Sequence, residues 1–324
     1  MSTYAWVIGA RGLLGKSVMH AIDRRPGWTM PIMEPLPWSD DDALADRARL
    51  NAARLIAAAT ESGSRWSVIW VAGAAVTSTP PAAIAQELHQ FQLVLDAIRS
   101  ETESAGAAQS GSMFYASSAG GVYGGSVHPP FDETARPVPI SGYGRFKLDA
   151  EKRLFEFSSA SGISVVAGRI ANLYGPGQKL GKMQGLISHL AKAQFSPTPA
   201  SIFVPLDTIR DYIFVSDCAE LLLDTVERLM EASAESGRTA MIKNLATGQA
   251  VTISNLLGHF RNLAKGHPHV MLGASAEASM QGLDLRIAST VWPDLDQREY
   301  TSLPAGIKAT MEDVLRHIQA GSRP

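Results

Sequence analysis

Apolar residues in the first half of the chain fall into two alternating kinds of run. Short, nearly unbroken apolar stretches of strand length alternate with longer ones whose apolar positions recur at helical spacing. Residues 4–10 read as a strand and 13–25 as a helix. "WTMPIMEP" follows as a second, proline-interrupted strand, then an alanine-rich helix from about Asp41 to Ala59. That helix opens with acidic residues, which suit the positive end of a helix dipole. "SVIWVAGAA" reads as a buried strand, "AAIAQELHQFQLVLDAIRSE" as a helix and "SMFYASSAG" as the next strand. A further helix begins at Gly142, and "ISVVAGRIAN" reads as the sixth strand. Strands alternating with helices predict an α/β fold, a doubly wound parallel sheet with helices on both faces.

The texture changes after Gly175. "YGPGQKLGKMQG" and "FSPTPASIFVPLD" are loops marked by glycine and proline around a helix near 183–195. This divides the chain into a first domain, 1–175, and a smaller C-terminal lobe, 176–324, with 205–250 expected to return partly to the first domain. The 176–206 loops face the substrate in this reading.

The overall charge narrows the partners. With 29 basic and 31 acidic residues, the net charge is −2 and both signs are scattered, so neither nucleic acid nor an anionic membrane is expected. Cys218 is the one cysteine, which excludes an internal disulfide and CxxC chemistry. It sits in "VSDCAELLL", where a buried helix position is expected. The start of the chain has no charged region leading into a long apolar one, and no apolar run is long enough to span a bilayer. A cytoplasmic protein without a signal peptide is the expectation. The histidines lack metal-ligand spacing, His267 and His269 read as a surface pair, and no metal is expected. "SDDDA" reads as a solvated helix start. Neither a full G-x-x-x-x-G-K-[ST] P-loop nor a G-x-S-x-G elbow occurs.

Two motifs carry chemistry. In the first, "WVI" runs into Gly9, Gly12 and Gly15 and then into "KSVMHAI". A strand, a glycine turn and a helix N-terminus in that order cradle a pyrophosphate, so the loop from Gly9 through Arg11, Gly12, Leu13, Leu14 and Gly15 is the candidate site for NAD or NADP in a Rossmann-like sheet. Glu34, about 19 residues beyond Gly15, is the candidate for the ribose 2′-OH and leans toward NAD. Arg11 leans toward NADP, because a guanidinium can take a 2′-phosphate. The choice stays open, with NAD slightly favoured.

In the second motif, "SGYGRFK", Tyr143 and Lys147 are four residues apart on one helix face. An ammonium beside a phenol is expected to lower the phenol's pKa and make it a usable base or acid for an alcohol losing hydride.

With these motifs in place, the chain resembles the extended short-chain dehydrogenase/reductases of the NAD-dependent epimerase/dehydratase family that act on nucleotide sugars. "FYASSAGGVYGG" resembles the family's strand ending in serines before Val-Tyr-Gly. Pro130, Glu133, Pro137, Pro139, Ser141, Tyr143 and Lys147 resemble its proline-rich approach to the Tyr–Lys pair. "GRIANLYGPGQ", "RDYIFVSDCAELLL" and "NLATGQAVTISNLL" continue the likeness across nearly the whole length.

The resemblance implies that Ser118 joins Tyr143 and Lys147 as the third catalytic residue, with Ser117 as its fallback beside the cofactor. Lys147 would also bond the nicotinamide ribose, and Gly73, Ala74 and Ala75 would line the cofactor. Asn172 and Arg210 would hold a substrate diphosphate. Ser78, Tyr174, Gln178 and Phe203 would set specificity, and a homodimer is implied. Phe146 departs from the family's usual serine or threonine and reads as packing with Ala150, Leu154 and Phe157. Pro35–Asp46 is compressed, so no adenine-contacting aspartate is assignable, and Asp40 reads as a helix cap. A late "LGW" stretch is missing.

The implied reaction is epimerisation of a nucleotide sugar through a keto intermediate. Reduction of a keto-sugar or another small carbonyl compound is the alternative, and a non-catalytic dinucleotide sensor the remote one. Ala119 and Gly120 stand where sugar dehydratases carry an Asp–Glu pair, which disfavours that branch.

Overall fold

The computed structural model describes residues 2–178, 185–264, 269–273 and 282–321. Its first half alternates β1 (Thr3–Ile8), α1 (Leu13–Arg24), β2 (Trp28–Thr29), α2 (Asp41–Glu61), β3 (Arg65–Trp70) and α3 (Pro81–Ala105). β4 (Gly111–Ser118), the single turn α4 (Ala119–Val122), α5 (Gly142–Ser161) and β5 (Ser164–Ile170) follow. The second half holds β6 (Asn172–Tyr174), α6 (Leu186–Ala193), β7 (Ala200–Ile202), β8 (Ile209–Arg210), β9 (Tyr212–Phe214) and α7 (Val215–Ser236). It closes with β10 (Ala240–Leu245), β11 (Val251–Thr252), α8 (Ile253–Ala264), β12 (Val270–Leu272), β13 (Asp284–Leu285) and α9 (Leu303–Gln319).

Six strands form one sheet in the order β10-β5-β4-β3-β1-β2, every pair parallel. The chain starts at β1, moves out to β2, then crosses to β3 on the other side, so the strand order reverses between β1 and β3. Ligands of such sheets bind beyond the strand carboxyl ends at that crevice. β5 is buried along its whole length, as a strand covered on both faces must be. α2, α3 and α5 cover one face through Leu44, Leu55, Phe91, Leu95 and Leu154. α1 and α7 cover the other through Val18, Ile22, Leu222 and Leu229, with Cys218 buried among them.

A separate apolar core joins α6, β7, α8 and α9 through Ile187, Leu190, Ile202, Leu256, Phe260 and Ile307. It forms the lobe that faces the strand ends. Residues 215–245 return to the sheet as α7 and β10, and β10 pairs with β5.

The α/β class and the parallel sheet match the pattern of apolar runs. Three details differ. The second strand is two residues long rather than filling 28–35, because Pro31 has no N–H to give the ladder. "ISVVAGRIAN" is the fifth strand, not the sixth; the sixth member is β10, whose AMIKNL is too polar to stand out. β1 ends at Ile8 because Gly9 turns away with φ +100°. Asp40 caps α2, its side chain accepting the Ala43 N–H at 3.0 Å. His267 lies outside the described residues.

Candidate active site

A cavity of about 990 Å³ runs over the carboxyl ends of β1, β3, β4 and β5 and under the lobe. That is the upper end of the range for small-molecule sites. Arg11, Gly12, Leu13 and Leu14 line it at one end, with Val71, Gly73, Ala75 and Thr77 beside them. Ser117, Ser118, Tyr143 and Lys147 line its middle, and Asn172, Tyr174, Gln178, Phe203 and Arg210 line the lobe side. The charged lining residues are Arg11, Lys147, Lys192 and Arg210, with His189 near Lys192; no carboxylate occurs among the described lining residues.

The glycine loop is shaped by close approach. A Cβ on Gly15 would lie 2.1 Å from the Gly9 carbonyl oxygen, and one on Gly9 would lie 2.5 Å from the Ala72 nitrogen. Both glycines therefore support the turn from behind, and neither lines the cavity. Gly12 caps α1 without a side chain, so the helix N-terminus opens toward the cavity. These residues fit a dinucleotide pyrophosphate.

α5 supplies the Tyr–Lys pair. Ser141 caps it by accepting the Gly144 N–H at 3.0 Å, which sets Tyr143 in the first turn and Lys147 one turn on. The Lys147 Nζ donates to the Ala116 carbonyl at 2.9 Å and to the Tyr115 hydroxyl at 3.2 Å. It lies 5.7 Å from the centre of the Tyr143 ring. Ser118 hydrogen-bonds the Tyr143 phenol and accepts the Gly121 N–H at 3.2 Å. Ser117 instead donates to the Glu151 carboxylate, so the two neighbouring serines point to different partners.

Glu151 is one turn beyond Lys147 on the same helix face. It receives Nε and Nη2 of Arg169 at 3.0 and 2.7 Å in a fully buried ion pair. Arg169 also donates to the Tyr123 hydroxyl at 2.8 Å. The network ties α5 to the ends of β4 and β5 beneath Ser118. Phe146 is buried, with its ring 5.4 Å from the Lys147 Nζ.

The protonation states correct one expectation. Burial pushes the Tyr143 phenol up to about 12, and the Ser118 hydrogen bond only partly opposes it. Lys147 does not reverse this rise, since its Nζ hydrogen-bonds Tyr115 and Ala116 rather than the phenol. Burial also pushes Lys147 down to about 8, against the pull of Glu87 and Glu151.

On the lobe side, Asn172 Nδ2 donates to the Asp211 carbonyl at 2.9 Å, which brings it beside Arg210. Arg210 is buried and donates to the Ile209 carbonyl at 2.8 Å. Tyr174 packs edge-on against Tyr212 and Phe214, its phenol raised by burial. Gln178 accepts from the Ser188 hydroxyl at 2.7 Å.

Besides Gly9 and Gly15, three proposed contacts lie apart from the cavity wall. Ser78 is exposed on the loop before α3, and its neighbour Thr77 lines the cavity. The Ala74 N–H turns to Glu87. Glu34, five residues past the end of β2, pairs with Arg47 outside the lining, and its backbone is held by Asn51. Sequence reasoning did not pick out His189, Lys192, Tyr115, Glu87 or the Glu151–Arg169 pair. Glu151 alone left a trace, at i+8 from Tyr143 on the apolar-spaced face.

Among the described residues no cluster suited to a metal ion occurs, and no helix is long and apolar enough to cross a membrane.

The parallel sheet, its glycine turn and the cavity at the strand carboxyl ends define a Rossmann-like fold with a candidate dinucleotide site, and comparison with known proteins gives the family. The profile of the NAD-dependent epimerase/dehydratase family matches residues 5–237, and the chain belongs to that family. It is similar to dTDP-4-dehydro-6-deoxyglucose reductase of Escherichia coli, 29% identical over 145 residues, covering 45% of this chain and 43% of that protein. UDP-glucose 4-epimerase of Rhizobium leguminosarum bv. trifolii is 29% identical over 163 residues, 45% of this chain and 47% of that protein. The matched stretches thus span less than half of these relatives' own length. Among solved structures, UDP-glucose 4-epimerase from Thermotoga maritima with UDP-glucose has a TM-score of 0.76 at 19% identity. It covers 98% of this chain and 99% of that one, and shows the shared fold.

Proposed function

We propose that this protein moves hydride between a nicotinamide cofactor and a carbinol carbon of a nucleotide sugar, with epimerisation through a keto intermediate as the net reaction. The observation that carries the reading is the meeting of Tyr143, Lys147 and Ser118 in a cavity whose charged lining, among the described residues, is wholly cationic. A dinucleotide and a nucleotide sugar are both diphosphates, and such a wall attracts both.

The glycine loop from Gly9 to Gly15, the N-terminus of α1, Arg11, Gly73, Ala75 and Lys147 would hold NAD or NADP. When bound, that cofactor supplies the acceptor and donor of hydride. Proton movement falls to the chain. Ser118 holds the reacting oxygen beside the Tyr143 phenol. Tyr143 takes the hydroxyl proton as the carbon is oxidised and returns one to the keto oxygen as it is reduced. The Lys147 ammonium favours the phenolate needed in the first of these steps. Arg210 and Asn172 would take the substrate diphosphate, Arg210 through its planar, permanently charged fork.

Reduction of a keto-sugar is the second reading, and two observations favour it. Arg11 lines the cavity while Glu34 is engaged by Arg47 outside it, which suits a 2′-phosphate. The Tyr143 phenol, raised to about 12, is in the form that protonates a carbonyl. Ala119 and Gly120 beside Ser118 carry no proton-transfer group, so elimination of water is not supported.

The test is incubation with oxidised and reduced NAD and NADP against a panel of nucleotide sugars and keto-sugars. Nicotinamide absorbance and product stereochemistry are followed together. An inverted sugar without net absorbance change establishes the epimerase, and steady consumption of reduced cofactor establishes the reductase. Cofactor binding with no turnover on any panel member speaks for the sensor.

A further inference from the structure

Glu87 stands behind the cavity wall on α3, and no motif marks it. Its carboxylate reaches back to the loop after β3, where Oε2 accepts the N–H groups of Ala74 at 3.1 Å and Ala75 at 2.9 Å. A Cβ on Gly73 would lie 3.4 Å from its Oε1, so the group is packed against that loop. Consecutive amides facing one way make a small anion-binding concavity. Here a carboxylate of the chain itself fills it, directly behind the cavity-lining Gly73 and Ala75.

The surroundings of Lys147 give Glu87 a second consequence. Tyr143 and Glu151 flank the ammonium on α5, Tyr115 and the Ala116 carbonyl accept from it on β4, and Glu87 on α3 acts on it through charge, without a direct contact. The carbonyl and the two phenols are neutral partners near neutral pH. Glu151 is committed to Arg169 and Ser117. Glu87 makes its hydrogen bonds to neutral amides of the loop, and among the described residues it has no ion pair.

We propose that Glu87 is a positioning residue of this site, pinning the 73–75 loop through two amides and holding Lys147 as the ammonium. This rests on the reading above that Lys147 belongs to the hydride-transfer centre. Burial draws Lys147 toward the neutral amine, and Glu87 is the largest influence opposing it.

Two substitutions separate the parts of the claim. Glu87→Gln keeps an oxygen for both amides and removes the charge, whereas Glu87→Ala removes both. The full chain is labelled with [ε-13C]lysine, and the Lys147 resonance is identified by its loss in Lys147→Arg. The Lys147 midpoint is expected near pH 8 in the parent chain and about one unit lower in Glu87→Gln. A second readout is affinity for reduced nicotinamide cofactor, followed by its fluorescence. It is expected to stay within about twofold in Glu87→Gln and to weaken about tenfold in Glu87→Ala, the equivalent of about 1.4 kcal/mol.

An unchanged Lys147 midpoint in folded Glu87→Gln overturns the charge claim, and parent-like affinity in Glu87→Ala overturns the loop claim. Should Glu87→Ala not fold, Glu87→Asp replaces it, since its shorter side chain loses reach to the amides and keeps the charge. It must then weaken cofactor binding without lowering the Lys147 midpoint. None of these readouts needs a sugar. A shifted midpoint without turnover of any nucleotide sugar sinks the reaction reading alone, and turnover with an unmoved midpoint sinks the Glu87 proposal alone.

Discussion

The two walls of the cavity are built differently. The sheet-side wall hangs from β1, β3, β4 and β5, strands of six to eight residues. Its polar groups are locked from behind by carboxylates, Glu151 under Ser117 and Arg169, and Glu87 behind Ala74 and Ala75. The lobe-side wall rests on β6, β7, β8 and β9, strands of two or three residues, and on α6. It presents Arg210, Lys192 and His189 to the cavity. The acids stand behind the wall that carries Tyr143 and Lys147, which leaves the described lining cationic. In the proposed reading, recognition falls to the short elements, whose side chains can change without disturbing the parallel sheet.

The largest effect should come from breaking the support of the sheet-side wall. Glu151→Ala leaves the Arg169 guanidinium buried without its counter-charge and is expected to cost about 3–5 kcal/mol of stability, read by denaturant unfolding. A loss below 1 kcal/mol would mean the pair is not what ties α5 to β4 and β5.

Removing a cation from the other wall should disturb the fold less than Glu151→Ala does. Arg210→Ala is expected to raise KM for a nucleotide sugar about thirtyfold, the loss of about 2 kcal/mol of charged hydrogen bonding. A change confined to kcat would move Arg210 from recognition to chemistry.

The pH profile sharpens the contrast further. Lys147 sits near 8 because of burial, so its ammonium is complete well below pH 8 and lost above it. Activity that depends on the ammonium should fall about tenfold from its plateau by pH 9. Between about pH 8 and the ordinary lysine value near 10.4, the unfolded chain holds a proton that the folded one lacks. This group's contribution to stability therefore rises with pH in that window, opposite in sign to the activity. Glu87→Gln should carry both limbs to lower pH.

The smallest expected effect is at the glycine loop. Arg11→Ala should cut any preference for NADP over NAD severalfold, about 1 kcal/mol, measured as paired cofactor dissociation constants. An unchanged ratio would return the choice of cofactor to other groups.

Much of the sheet-side wall was legible in the sequence, because its signals are local. Gly9 and Gly12 stand between an apolar strand and a helix whose first turn holds Gly15, and the four-residue step from Tyr143 to Lys147 fixes a shared face. Other features depend on contacts that leave no periodic trace. Glu87 meets a loop about a dozen residues upstream, and Glu34 is drawn aside by Arg47 on the following helix. The short β2 follows from Pro31, which was visible, but how far the edge strand survives it was not. The direction of the Tyr143 shift was misjudged for a physical reason. A charge four residues away is readable in sequence, whereas the burial that outweighs it belongs to the packed fold. Lys192 and His189 went unread because α6 carries no motif, and only the closed cavity shows which of its faces is inside.

The most direct test of the central claim compares the parent chain with Tyr143→Phe, measuring turnover on a substrate from the panel together with cofactor affinity. Loss of the phenol is expected to lower kcat by about 100-fold or more, with the cofactor dissociation constant unchanged within about threefold. Parent-like turnover in a folded Tyr143→Phe would contradict the account, since the proton would then move through another group.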